Sequence, residues 1–160
     1  MPPRDGLDIG DAAPGEIVLS DQRGAPVRLS DFHGCHVVVY FYPADDTPGC
    51  TVEGKEFRDL HQQFETLDCI VIGVSVDSVE SHRKFADKHA MTFSLLSDSD
   101  GTLARAFGVL RGQRADRTTF VLDRDLRIRR RFDQVNPRGH ALQVLEFVRA
   151  LLESHRMLGG

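Results

Sequence analysis

A turn between a predicted buried strand and a predicted helix places Cys50 at the start of that helix. The strand is the apolar run 37–41, and the helical pattern continues to Phe64. Thr47 is suited to the N-cap and Pro48 to the first helical position, where its missing N–H costs nothing. Cys50 then falls in the first turn, among backbone N–H groups without intrahelical partners and at the positive end of the helix dipole. We therefore expect the pKa of this thiol to lie below the free value of about 8.5.

The length and composition are those of an ordinary globular protein. The 160 residues are 41% hydrophobic and 28% charged, which predicts one domain over residues 1–160, with residues 1–9 and 156–160 as flexible ends. The net charge is −4, and no basic cluster alternates with aromatic residues. Nucleic acid binding is therefore not expected.

The sequence also bears on where the protein works. The N-terminus has no apolar segment of the kind found in secretory signals, and no apolar run reaches the roughly 18 residues of a membrane span. The three cysteines have no paired spacing, which argues against a disulfide framework and for a reducing compartment. We predict a cytoplasmic protein that does not bind membranes.

The order of the predicted elements indicates a sheet with helices on both faces. The run 70–76 is a second continuous apolar segment, rich in β-branched residues and typical of a strand covered on both faces. The predicted strands are 17–20, 25–29, 37–41, 70–76, 118–122 and 126–132, with a short extended segment at 92–96, and the predicted helices are 48–64, 78–88, 102–107 and 137–155. This order predicts an α/β, thioredoxin-like fold with a mixed central sheet flanked by helices and extra N-terminal strands. On the last helix we expect an inward face formed by Leu142, Leu145, Val148, Leu151 and Leu152.

The residues around Cys50 favour attack on a peroxide O–O bond. Negative charge builds on the leaving oxygen in that displacement, so hydrogen-bond donors must be aimed at both oxygens in the transition state. The Thr47 hydroxyl and the backbone N–H of Cys50 are local donors. Arg117, at the start of the predicted strand 118–122, is the best candidate for a fixed cation, and Pro43 would cover one side of the pocket and limit water.

These residues carry a family resemblance. The pattern Pro-x-x-x-Thr-x-x-Cys, at Pro43, Thr47 and Cys50, is followed by Arg-Thr-Thr-Phe-Val-Leu-Asp from Arg117, and together they resemble the peroxiredoxins. The fuller string 40–53 is similar to the peroxiredoxin Q, or bacterioferritin comigratory protein, branch, and the similarity extends over nearly the whole chain. The resemblance implies a thiol-dependent peroxidase that reduces hydrogen peroxide and organic hydroperoxides.

The resemblance also implies roles for individual residues. Cys50 would be the peroxidatic cysteine, Thr47 and Arg117 would activate it, and Glu53 would hold the arginine in place by a charged hydrogen bond. No cofactor or metal is implied, and the partners would be a peroxide and an external thiol reductant such as thioredoxin, or glutaredoxin with glutathione. Members of this branch are more often monomers than dimers. The resemblance therefore implies a monomer, with a dimer as the alternative.

The chain departs from the branch pattern at the resolving cysteine. Many members carry a second cysteine five residues after the first, where this chain has Lys55. Cys35 and Cys69 begin neighbouring predicted strands, and at roughly 3.3 Å per residue they lie some 25 Å from the Cys50 edge of the sheet. A disulfide needs Cα atoms within about 7 Å. Both are expected to be buried packing residues, or to approach each other across adjacent strands. We therefore predict a one-cysteine mechanism in which an external thiol reduces the sulfenic acid on Cys50.

Two other classes of function remain open from the sequence. One is a peroxide sensor or thiol relay, which passes the oxidation of Cys50 to a partner with little turnover, and the other is a non-enzymatic thioredoxin-fold binding module. A disulfide oxidoreductase is disfavoured because Glu53, rather than a cysteine, stands three residues after Cys50. The histidines form no ligand set with the cysteines, so no metal site is predicted. The adjacent Asp45 and Asp46 are expected to be solvated loop residues.

Overall fold

A mixed sheet of seven strands lies at the centre of the described part of the chain. The computed structural model describes residues 6–157, and their side chains as far as residue 154. In chain order the strands are β1 (Leu19–Ser20), β2 (Pro26–Val27), β3 (His36–Phe41), β4 (Cys69–Ser75), β5 (Ser94–Ser97), β6 (Leu110–Arg111), β7 (Arg114–Ala115), β8 (Thr118–Leu122) and β9 (Ile128–Phe132). Within the sheet the order is β2-β1-β5-β4-β3-β8-β9, and β6 and β7 form a separate hairpin.

Four helices accompany the sheet in the described residues. They are α1 (Pro48–Thr66), α2 (Val79–His89), α3 (Thr102–Phe107) and α4 (His140–Met157), and a 3₁₀ turn spans Leu29–Phe32. None of the helices within residues 6–157 is long and apolar enough to cross a membrane.

The pairing of β3 decides which parts of the chain meet at the end of the sheet. Strand β3 runs parallel to β4 and antiparallel to β8, with Phe41 opposite Thr118. The last residue of β3 therefore lies beside the first residue of β8. The turn that follows Phe41 and the residue that precedes Thr118 consequently emerge at the same edge.

Both faces of β3 are covered, which explains its continuous apolar sequence. Val37, Val39 and Phe41 belong to one core with residues of α3, whereas Val38 and Tyr40 belong to a second core with residues of α1, α2 and α4. Every residue of β3 is buried. The predicted α/β sheet with helices on both faces is confirmed.

Gly73 of β4 leaves a space that Tyr40 of β3 fills. A Cβ atom at Gly73 would lie 2.9 Å from the Tyr40 hydroxyl and 2.9 Å from Cδ2 of Leu95. The buried Tyr40 ring stacks on Phe57 of α1 with 4.5 Å between the ring centroids. This contact seats the first half of α1 on the sheet.

The predictions for the short elements differ most from the structure. The strand predicted at 25–29 is reduced to Pro26–Val27, because the 3₁₀ turn already begins at Leu29. The β6–β7 hairpin was not predicted, since strands of two residues leave no alternating pattern to detect.

The inward face of α4 was predicted wrongly at one position. Leu142 is 47% exposed, and the buried apolar residues on this helix are Ala141, Val144, Leu145 and Val148. Leu142 follows the buried Ala141 directly, so it lies about 100° further round the helix. Position 142 therefore points to solvent.

The two chain ends are described only in part. Residues 1–5 and 158–160 of the predicted flexible ends lie outside the described residues. Leu7 is hydrogen-bonded, since its N–H donates to the Phe107 carbonyl at 3.2 Å and its carbonyl accepts from Nη1 of Arg131 at 2.7 Å. Residues 156 and 157 belong to α4. The single-domain organisation stays a prediction.

Candidate active site

The turn after β3 begins α1 as the sequence predicts. Thr47 is the N-cap, with φ −88° and ψ 153°, and Pro48 occupies the start of the helix. The Thr47 hydroxyl, however, does not cap the helix. It donates to the Ala44 carbonyl oxygen at 3.2 Å, so its own oxygen keeps lone pairs available to accept another hydrogen bond. Cys50 lies in the first turn of α1 and is only 2% exposed.

Arg117 connects the thiol to a buried carboxyl group. It precedes β8 and therefore emerges at the edge where the β3–α1 turn lies. Its Nη2 donates to Cys50 Sγ at 3.3 Å, and its Nη1 donates to Glu53 Oε1 at 2.8 Å. Burial opposes the charge on Arg117, but the charges of Glu53 and Cys50 outweigh it and raise the pKa of the guanidinium. The cation is therefore permanent.

Glu53 lies one turn after Cys50 on α1 and is fully buried, with 0% exposure. Burial raises the pKa of its carboxyl group from 4.5 to about 7, although the charge and hydrogen bond of Arg117 act in the opposite direction. Among the described residues, its Oε2 atom has no hydrogen-bond partner. The Oε1 atom of Glu53 thus accepts the hydrogen bond that orients Arg117, whereas the Oε2 atom is buried away from water.

Gly49 allows the guanidinium to approach the helix start. A Cβ atom at this position would lie 3.1 Å from Arg117 Nη2 and 3.3 Å from Cγ of Pro137. Sequence reasoning missed both contacts. A glycine directly before the cysteine was the available signal for Gly49, whereas nothing in the local sequence points to Pro137. Pro43 is half-buried in the same turn, and its coverage of the pocket stays a prediction.

Asp45 is not solvated, which corrects the sequence prediction. Its side chain is 4% exposed. The Oδ1 atom accepts from the Tyr42 hydroxyl at 2.6 Å, and the Oδ2 atom lies 2.8 Å from Ser81 Oγ and 2.7 Å from His82 Nδ1. Helix α2 packs over the turn and supplies Ser81 and His82. Asp46 is exposed as predicted, and it pairs with Nζ of Lys88 at 2.9 Å.

Ligand atoms of Asp45, Asp77 and His82 lie within 4.8 Å of one another, close enough to suit a metal ion. Each atom is already used within the chain. His82 Nδ1 pairs with Asp45, and Asp77 Oδ2 accepts from the Asp45 N–H and the Ser75 hydroxyl. Hydrogen bonding accounts for the grouping.

The other two cysteines lie at the far end of the parallel strands. Cys69 pairs with His36, the residue after Cys35, so the two thiols are near each other and remote from Cys50. Burial, and secondarily the charge of Cys35, raises the pKa of Cys69 to about 12. A thiol with such a pKa is unreactive near neutrality. Lys55, at the position of the expected resolving cysteine, is exposed on α1.

The chain is similar to known proteins over most of its length. Residues 9–131 match the AhpC/TSA family. The chain is 39% identical to peroxiredoxin Bcp of Bacillus subtilis over 155 residues, which cover 92% of this chain and 98% of the relative.

Solved structures match as well. A cysteine-to-serine mutant of PrxQ from Xylella fastidiosa superposes with a TM-score of 0.90 at 37% identity, covering 93% of this chain and 99% of the other. The bacterioferritin comigratory protein of Xanthomonas campestris, a protein described by its alkyl peroxide reduction activity, superposes with a TM-score of 0.84 at 35% identity, covering 92% and 98%. The thioredoxin-like fold is thereby confirmed.

The buried carboxyl of Glu53 should make stability depend on pH. Because its pKa is raised to about 7, the folded chain holds a proton that the unfolded chain releases above about pH 4.5. Its contribution to folding is complete below pH 4.5 and is lost as the pH rises to about 7, a loss of about 3 kcal/mol. Glu53→Gln removes this titration, so the variant should gain about 3 kcal/mol relative to wild type over the same range.

Urea unfolding at both pH values measures this difference. The exposed Glu80→Gln variant is the control and should follow the wild-type pH profile. Parallel profiles for wild type and Glu53→Gln would show that Glu53 has no raised pKa.

Proposed function

Because the chain belongs to the AhpC/TSA family and is a thiol-dependent peroxidase of its peroxiredoxin Q and Bcp branch, we propose that Cys50 is the peroxidatic residue. The observation that carries this assignment is the bridge from Arg117 to both Cys50 Sγ and Glu53 Oε1. A fixed cation beside a thiol at a helix start stabilises the thiolate, which is the nucleophilic form.

The reaction is an in-line displacement at oxygen. The Cys50 thiolate attacks one peroxide oxygen, the S–O bond forms as the O–O bond breaks, and the second oxygen leaves as hydroxide or alkoxide. A proton converts the leaving group to water or alcohol, and the sulfur becomes a sulfenic acid. Arg117 stabilises the charge that moves from sulfur to the departing oxygen, because its donors are already in place before reaction.

Thr47 and Glu53 complete the site around that charge. The Thr47 hydroxyl donates to Ala44, so its oxygen can accept the O–H of a hydroperoxide and orient it toward the sulfur. Glu53 fixes one side of the guanidinium and leaves the other side for sulfur and substrate. Pro43 limits water around the thiolate.

The substrates in this proposal are hydrogen peroxide and organic hydroperoxides, and an external thiol reduces the sulfenic acid. Thioredoxin, or glutaredoxin with glutathione, has the required chemistry. No described cysteine lies near Cys50, and Lys55 stands where a resolving cysteine is expected. We propose a cytoplasmic protein that acts as a monomer, with a dimer as the alternative.

Steady-state peroxide consumption with a panel of thiol donors tests the function. We expect sustained turnover with at least one donor and none in Cys50→Ser, since the nucleophile is then missing. Cys35→Ser and Cys69→Ser are matched controls and should retain turnover. Oxidation of Cys50 without turnover on any donor would favour a peroxide sensor, and turnover in Cys50→Ser would refute the assignment.

Removal of the bridging cation should slow the first step. For Arg117→Ala we expect oxidation of Cys50 to slow by about 100-fold or more, in line with the loss of one preorganised donor. The exposed Arg114→Ala variant controls for the loss of an arginine. Unchanged oxidation kinetics in Arg117→Ala would show that another group stabilises the thiolate.

The one-cysteine mechanism predicts the mass of the oxidised chain. One equivalent of hydrogen peroxide should add one oxygen to the intact protein, and excess peroxide should drive further oxidation because no internal thiol competes. Intact-mass analysis with peptide mapping measures both the single added oxygen and the further oxidation. A disulfide between Cys50 and Cys35 or Cys69 would contradict the mechanism.

A further inference from the structure

Helix α2 also holds the turn 42–47, which precedes Cys50. The contact centres on the buried Asp45 carboxylate, which receives hydrogen bonds from Tyr42, directly after β3, and from Ser81 on α2. The third partner is His82, with Nδ1 2.7 Å from Asp45 Oδ2 and a side chain that is 0% exposed. A buried carboxylate is costly unless it is fully paired, so these partners decide whether the turn is stable in this conformation.

Both ring nitrogens of His82 are engaged. Nε2 lies 2.9 Å from the Leu96 carbonyl oxygen, and a carbonyl can only accept, so Nε2 carries a hydrogen. Nδ1 faces the Asp45 carboxyl group at 2.7 Å. The ring is thus anchored to the sheet through β5 and presents its other nitrogen to the turn.

Asp45 lies in the sequence between Pro43 and Thr47, two residues of the proposed active site. It is two residues after Pro43 and two residues before Thr47. Its N–H donates to Asp77 Oδ2 at 2.8 Å, and the next residue, Asp46, has a φ of +58°. The left-handed conformation at Asp46 is unfavourable for a non-glycine residue and persists only where neighbouring contacts hold it. Displacement of Asp45 would move Pro43, Thr47 and the start of α1 together.

We propose that His82 is a positioning residue for the peroxidase reaction, which acts through Asp45 to hold the 42–47 turn and the Cys50 thiolate in register with Arg117. This inference rests on the proposed role of Cys50. His82 touches neither the sulfur nor the substrate, and no proton or electron passes through it in the reaction.

Two amide substitutions separate the bond to Asp45 from the bond to Leu96. The amide of His82→Asn can donate from near the Nδ1 position toward Asp45, whereas the amide of His82→Gln reaches the Nε2 position toward Leu96. His82→Leu makes neither bond. We expect Cys50 oxidation by hydrogen peroxide to slow by about 10- to 100-fold in His82→Leu, since small misplacements of reacting groups have effects of this size. His82→Asn should restore most of the rate, and His82→Gln should not.

The rate is best followed by competition with a reference peroxidase, because the chain has no tryptophan to report oxidation. Leu103→Ala is the matched control. It removes a buried side chain from the core on the opposite face of the sheet, so it lowers stability without touching the turn. Its rate should stay within about twofold of wild type, because destabilisation at a distant site leaves the native geometry intact.

A double-mutant cycle with Asp45→Asn adds a second criterion. If His82 acts through Asp45, the rate loss in the double variant His82→Leu/Asp45→Asn should not exceed the larger single loss. Fully multiplicative losses would overturn the proposal, as would a wild-type rate in His82→Leu. If His82→Leu does not fold, equal rates in the Asn and Gln variants would overturn it.

The same assay distinguishes this inference from the function on which it rests. A wild-type protein whose peroxide consumption does not require Cys50 would remove the proposed function itself. Cys50-dependent wild-type turnover with a normal rate in His82→Leu would remove the role of His82 alone.

Discussion

The guanidinium of Arg117 is the interaction on which the rest of the site depends. It donates to Cys50 Sγ and to the buried Glu53 carboxyl, so one cation contacts the proposed nucleophile and the group that orients the cation. Antiparallel pairing of β3 with β8 brings Arg117 to the edge where α1 begins, and Gly49 permits the close approach. Neither the helix dipole nor the arginine alone distinguishes a peroxide site from other thiol enzymes. We propose that their combination at the buried Cys50 thiol makes that distinction.

The turn between β3 and α1 is held from two directions. Arg117 contacts the Cys50 sulfur and places a positive charge beside it. Helix α2 contacts Asp45 through Ser81 and His82 and holds the backbone of the turn. The remaining thiols lie at the other end of the parallel strands, where burial keeps the Cys69 thiol protonated. The positions and environments of the three cysteines therefore support the proposal that Cys50 is the reactive one.

Much of this architecture could be predicted from the sequence, because the decisive signals are local. The apolar runs predicted β3 and β4, and the Thr47–Pro48 pair predicted the start of α1. Contacts between distant segments could not be predicted in this way. Asp45 was expected to be solvated because the sequence does not reveal that His82, 37 positions later, folds over it. The Thr47 hydroxyl likewise turns to Ala44 rather than capping the helix, a choice that depends on the shape of the whole turn.

We propose that peroxide oxidises Cys50 and leaves the other two thiols unmodified. The most direct measurement treats the protein with one equivalent of hydrogen peroxide in the presence of a sulfenic-acid trapping reagent and locates the adduct by peptide mapping. We expect an adduct on Cys50, with Cys35 and Cys69 recovered as free thiols. An adduct on Cys35 or Cys69 while Cys50 remains unmodified would contradict it.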